Sequence, residues 1–177
     1  MSNRKSPKIK HFSYSIIMLS LMLILSYIEA LFPFSVGNLG IKIGLCNILT
    51  IIGLKILSIK EIFIINILRL IILGIFFGNV VRFQISLAGF LLSFIVMSFL
   101  LIKLKFSIII TSIFGAVFHN IGQVICVSFI TKNINLLTLL PVYIIIGCFT
   151  GFLIGVITDL LYTRLIIISF DKKHWLW

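Results

Sequence analysis

Six apolar stretches divide this chain, at residues 12–34, 39–57, 61–77, 85–102, 107–130 and 139–162. Each is close to the ~20 residues that a helix needs to cross the hydrocarbon core of a bilayer. The interruptions are short and carry helix breakers or charge. Pro33 and Gly37 follow the first stretch, and Ser58-Ile59-Lys60 follows the second. Residues 78–84 follow the third, Lys103-Leu104-Lys105 the fourth and residues 131–135 the fifth. Apolar runs of this length predict helices, because in lipid a helix satisfies its own backbone polar groups. The three-residue join between the second and third runs predicts an antiparallel pair. Pro141 falls in the first turn of the sixth run, where a missing N–H is tolerated.

Within this pattern one stretch stands apart. Residues 112–123 read S-I-F-G-A-V-F-H-N-I-G-Q, in the middle of the fifth run. Ser112, Gly115 or Ala116, His119, Gln123 and Cys126 recur three or four residues apart. On a helix that spacing makes one stripe. An imidazole, an amide and glycines on one face call for another helix, a cavity or a ligand rather than lipid. The sixth run carries Gly147, Gly151 and Gly155 in tandem G-x-x-x-G spacing, a continuous small face for packing within the chain or against another subunit. Ser86, Gly89 and Ser93 make a weaker face of the same kind in the fourth.

Composition makes the membrane reading firm. The 177 residues are 61% hydrophobic and 11% charged, and the mean hydropathy is +1.30. The expected fold is an all-α polytopic membrane protein with six transmembrane helices in residues 12–168. A basic cytoplasmic segment at 1–11 and a basic, aromatic cytoplasmic tail at 169–177 flank it. The first run is too long for the apolar core of a signal peptide and lacks a small-x-small cleavage site, so it counts as a span. Six spans leave no room for a soluble domain.

The net charge of +11 fixes orientation rather than pointing to nucleic acid. With the N-terminus cytoplasmic, that side holds Arg4, Lys5, Lys8, Lys10, Lys55, Lys60, Lys103, Lys105, Arg164, Lys172 and Lys173. The other side holds Lys42, Arg82 and Lys132. Eleven against three is a positive-inside bias, with both termini in the cytoplasm. Arg69 belongs to neither side, because it falls in the middle of the third run.

In that orientation Glu29, Lys42, Asn47, His119, Asn120 and Gln123 gather toward the outer half of the membrane, with Arg69 nearer its middle. Polar groups converging in apolar surroundings are the usual form of a ligand pocket. Glu29 paired with Lys42, and Arg69 bonded to helix carbonyls, is the structural alternative. No Ser-His-Asp set, carboxylate pair at one depth, acidic diphosphate-binding run or Walker A motif is present, so neither catalysis nor ATP-driven work is expected of this chain alone. Cys46, Cys126 and Cys148 show no metal spacing and read as packing residues, and no cofactor is expected.

These residues resemble a bacterial family. Ser26-Tyr27-Ile28-Glu29 with Leu31 and Pro33, then Lys42-Ile43-Gly44-Leu45-Cys46-Asn47, are similar to its S-Y-I-E…K-L-G-L-A-N pattern. Arg69, Ser86-Leu87-Ala88-Gly89 with Ser93 and Met97, Gly115-Ala116, His119-Asn120-Ile121-Gly122-Gln123, Pro141, Gly147 and Thr150-Gly151 continue it. The family is the Gx transporter family, also labelled heptaprenyl diphosphate synthase component I. Its fold resembles the S components of energy-coupling-factor transporters, six-helix membrane proteins that bind a vitamin in their outer half. The resemblance implies a substrate-binding subunit in a bacterial cell membrane, partnered by a transmembrane coupling subunit and ATPase subunits. The A-x-x-x-A face that many S components carry on their first helix is absent here, where Ala30 is the only alanine. The second function class is a non-catalytic accessory protein beside prenyl diphosphate or quinone biosynthesis, or beside flavin-linked electron transfer.

Overall fold

The computed structural model describes residues 7–31, 34–36, 39–41, 44–77 and 80–174, with side chains in 12–29, 44–76 and 80–166. Helices α1 (Pro7–Leu31), α2 (Leu45–Ile56), α3 (Ile59–Phe77), α4 (Val80–Ser98), α5 (Ile108–Thr131) and α6 (Leu140–His174) follow in order. Strands β1 (Phe34–Val36) and β2 (Leu39–Ile41) form an antiparallel hairpin between α1 and α2. The remaining regular structure among the described residues is helical. Four stretches, within α1, α4, α5 and α6, are long and apolar enough to cross a membrane. Helix α3 has the length, at 19 residues, but carries Lys60, Glu61 and Arg69.

The second apolar run departs from the expected span over residues 39–57. Its helix has 12 residues, about 18 Å of axis. Leu39–Ile41 is spent on β2, with Phe34 opposite Ile41 and Val36 opposite Leu39. Gly44 then takes φ +83, a left-handed conformation that resets the chain before α2 begins. A second difference lies at the fourth run. Residues 80–84, expected in a loop, belong to α4, because no breaker follows Asn79. That helix ends in a π turn over Phe99–Lys103, with the Leu104 N–H reaching the Phe99 carbonyl at 3.1 Å. Helix α6 runs well past residue 162, to about 52 Å of axis for its 35 residues.

Helix α5 lies between α4 and α6, and backbone touches backbone on both sides. A Cβ at Gly155 would stand 2.9 Å from the Ile109 Cα, one at Gly151 2.7 Å from the Ile113 Cα, and one at Gly147 3.0 Å from the Val117 Cα. Four-residue steps in opposite chain directions thus lay the glycines of α6 along one ridge of α5. The tandem glycine face is occupied within this chain. On the other side, a Cβ at Gly122 would meet the Ala88 carbonyl oxygen at 2.8 Å, and one at Gly115 the Met97 Sδ at 2.5 Å.

Helix α1 is the peripheral element. Ile17, Leu21, Ile24 and Ile28 form an exposed stripe suited to lipid. Met18, Met22 and Ser26 line the opposite face toward the rest of the bundle, where Met22 is fully buried. The main core joins Met22 to Ile51, Leu54, Ile62, Ile65, Phe90, Phe94 and Met97, so α1 to α4 share one apolar centre.

The glycine contacts predict a sharp contrast. Ala in place of Gly gains up to ~1 kcal/mol of helix propensity, whereas overpacking costs ~1–3 kcal/mol. At Gly151 the obstacle is backbone and cannot turn aside, so Gly151→Ala lowers the melting temperature in detergent. At Gly74 the obstacle is the Phe83 ring, 3.1 Å from the added Cβ, which can shift. Gly74→Ala leaves the melting temperature unchanged or raises it.

Candidate functional site

The polar residues divide into two groups by the contacts they make. The first lies among α1, α2 and α3. Ser26 and Glu29 are one helical turn apart on the inner face of α1. The Glu29 carboxylate accepts a hydrogen bond from the Gly44 N–H, at the start of α2. A carboxylate there satisfies a backbone donor that the helix leaves open and complements its positive end. The Gly44 carbonyl accepts from the Asn47 N–H at 2.8 Å. A side chain at Gly44 would be strained by φ +83 and would crowd the Asn47 amide nitrogen at 3.1 Å. Glu29, Gly44 and Asn47 are therefore one capping device.

Below this cap the groups are more deeply buried. The Ser26 Oγ lies 2.8 Å from the Cys46 Sγ, which also donates to the Met22 carbonyl at 3.4 Å. The Arg69 Nη1 donates to the same Ser26 Oγ at 3.4 Å, longer than the usual N–H···O range. Arg69 is 8% exposed, and its Nε has no hydrogen-bond partner among the described residues. One turn away on α3, the Asn66 side chain accepts from Thr50 at 3.3 Å and donates to the Ile62 carbonyl at 3.0 Å. Asn66 and Thr50 are satisfied by each other and by helix backbone; Arg69 is not.

The second group lies on α5, where the stripe read from the sequence splits in two. His119 and Gln123 face α4. A Cβ at Gly89 would stand 2.8 Å from the Gln123 Cγ, 2.9 Å from the His119 carbonyl oxygen and 3.1 Å from the His119 Cε1. Gly89 is thus a notch filled by these two residues. Gln123 is buried and His119 half-buried. Asn120 faces the other way. Its amide donates to the Tyr143 carbonyl at 3.0 Å, and its nitrogen lies 3.1 Å from the Cβ that Gly147 lacks. Asn120 ties α5 to α6, and Ser112 and Ala116 join it on that side, against Gly155 and Gly151. Lys42 lies outside the described residues.

Sequence reasoning did not single out Ser26 as the partner of Arg69, or Cys46 as the partner of Ser26. The four-residue step from Met22 to Ser26 was the available signal for an inward-facing hydroxyl. Asn66 was visible as a polar residue at depth, but its bond to Thr50 required the crossing of α2 and α3.

The capping device predicts a graded effect. Glu29→Ala removes the acceptor and lowers stability by about 0.5–2 kcal/mol, the usual worth of a helix cap. Glu29→Gln keeps an acceptor and falls between that variant and the parent. Thermal unfolding in detergent reads both.

The sequence family described as heptaprenyl diphosphate synthase component I matches residues 18–161, and the chain belongs to it. That stretch takes in both polar groups and all the glycine contacts of α5. The description names one component of a synthase, and a component implies other subunits. No curated protein and no solved structure matches the chain.

Proposed function

We propose that this chain is a substrate-binding membrane subunit, similar in role to the S components of energy-coupling-factor transporters, for a small vitamin- or cofactor-like molecule. The observation that carries this reading is the Gly89 notch. An imidazole and a primary amide are held there between two apolar helices, where neither is needed to close the backbone contact that Gly122 already makes. Such groups are costly in a membrane and mark ligand or transport paths by preference. Asn and Gln side chains offer both donors and acceptors to a polar ligand. Glu29, Lys42, Asn47 and Arg69 line the neighbouring side in this reading, and Asn120 sets the position of its neighbours. In this reading the chain is a multi-pass protein of the bacterial cell membrane with both termini in the cytoplasm, in line with the positive-inside bias. A transmembrane coupling subunit and ATPase subunits supply the energy, since the chain has no nucleotide motif of its own.

A second reading is favoured by the family description. In it the chain is an accessory protein that holds a prenyl diphosphate or quinone pathway enzyme, or a flavin-linked redox partner, at the membrane. The basic cytoplasmic residues Lys103, Lys105 and Arg164 are then its working surface.

Native mass spectrometry of the gently purified protein, with extraction of small molecules, separates the two. The capture reading expects a retained small molecule that is lost in His119→Ala and in Gln123→Ala. Removing one buried hydrogen-bonding group from a site costs about 1–3 kcal/mol of binding, enough to empty it during purification. An empty protein that carries a stoichiometric soluble enzyme instead would sink the capture reading.

A further inference from the structure

Arg69 is a buried cation whose charge nothing in the described structure neutralises. It is the eleventh residue of the 19 in α3, so it sits about 15 Å along the helix from Ile59. The chain has four acidic residues, Glu29, Glu61, Asp159 and Asp171. Glu29 caps α2 at Gly44, and Glu61 is bonded to Ser58 at the opposite end of α3. Asp159 is exposed on α6. None of them pairs with Arg69 among the described residues. A guanidinium has five N–H donors in a rigid fork. Here one donor reaches the Ser26 hydroxyl at 3.4 Å, and the Nε–H has no hydrogen-bond partner among the described residues.

Four polar side chains of α1, α2 and α3 are arranged differently. Asn66, Thr50, Ser26 and Cys46 exchange hydrogen bonds with one another or with helix carbonyls. A buried charge left unpaired is strongly unfavourable, and replacing it by an apolar residue is often neutral or stabilising. A folding role for Arg69 would require partners that it lacks. A role in binding requires the reverse, open donors awaiting an acceptor.

We propose that Arg69 is an anion receptor, and that the ligand of this protein carries a carboxylate or phosphate that pairs with its guanidinium between α1 and α3, beside the Ser26 hydroxyl. The assignment rests on the capture reading and narrows its substrate class to anions. The planar fork suits two-point contact with either group. The Ser26 hydroxyl, already shared between Arg69 and Cys46, adds a donor or an acceptor at the same spot. A phosphate there belongs either to a water-soluble ligand or to a lipid headgroup.

The test is thermal unfolding of the full chain in dodecyl maltoside micelles, which carry no phosphate. Inorganic phosphate, pyrophosphate and acetate are titrated against sodium chloride of equal ionic strength. A parallel series uses micelles containing phosphatidylglycerol. The parent is expected to be stabilised by at least one of these anions beyond chloride. In Arg69→Met the apparent Kd for that anion rises about tenfold or more, the usual effect of losing a charge-assisted hydrogen bond, and Arg69→Lys retains part of the binding. Without added anion, Arg69→Met melts at or above the parent, which a structural role for the guanidinium does not allow. Stabilisation by an added anion in lipid-free micelles assigns the site to a water-soluble ligand, and stabilisation by phosphatidylglycerol alone assigns it to a lipid headgroup. Two results overturn the proposal: a parent indifferent to every anion and to phosphatidylglycerol, or an Arg69→Met protein that melts well below the parent in chloride alone. If the protein nevertheless retains a small molecule through His119, only the anion assignment falls and the capture reading stands.

Discussion

The constraint on which this structure depends is the approach of helix backbones in a medium that gives apolar side chains no reason to leave it. Lipid tails are as apolar as Leu, so association between spans rests on close packing and on interhelical hydrogen bonds. The chain meets this with glycine where helices cross. Gly147, Gly151 and Gly155 let α6 rest on the α carbons of Val117, Ile113 and Ile109. Gly122 and Gly89 do the same between α5 and α4. Asn120 adds one hydrogen bond across the first of these seams, to the Tyr143 carbonyl.

The two halves of the bundle solve the packing problem differently. Helices α4, α5 and α6 are held mainly by steric fit, with the Asn120 hydrogen bond added. Helices α1, α2 and α3 are held by polar bonds as well, through Glu29 to Gly44, Ser26 to Cys46 and Thr50 to Asn66. The second half is therefore richer in groups that water, a ligand or an ion can compete for. Its elements are also shorter or more peripheral, with a 12-residue α2 and an α1 that turns one whole stripe to lipid.

Much of the fold was legible in the sequence, because long apolar runs broken by charge and glycine leave little choice but membrane helices. What escaped was local. The period-two alternation that makes Leu39–Ile41 a strand is three residues long, and it merges into an apolar run that reads as helix. The α5 stripe was legible as polar and small, but one stripe faces two neighbours. Periodicity cannot tell that His119 and Gln123 turn to α4 while Asn120 turns to α6, since the difference depends on where those helices stand. In the capping device, the resemblance drew attention to Glu29 and to Gly44 with Asn47 without giving the reason. The reason is a left-handed glycine whose N–H needs an acceptor. Arg69 was plain as a charge at depth. Its lack of a counter-ion among the described residues became visible only when Glu29, Glu61 and Asp159 had places.

The seam between α5 and α6 also limits how the molecule can move. Three glycines receive one ridge at four-residue intervals, so the two helices mesh like a rack with a fixed pitch. Four residues of helix rise about 6 Å. A slide of half that distance would carry the α carbons of Ile109, Ile113 and Val117 off their glycines together. The pair therefore has two options, to stay in register or to jump a full tooth, and interfaces of this kind are bistable rather than continuously deformable. Small displacements within the bundle are then carried by α1, α2 and α3, while α5 and α6 travel as one rigid body.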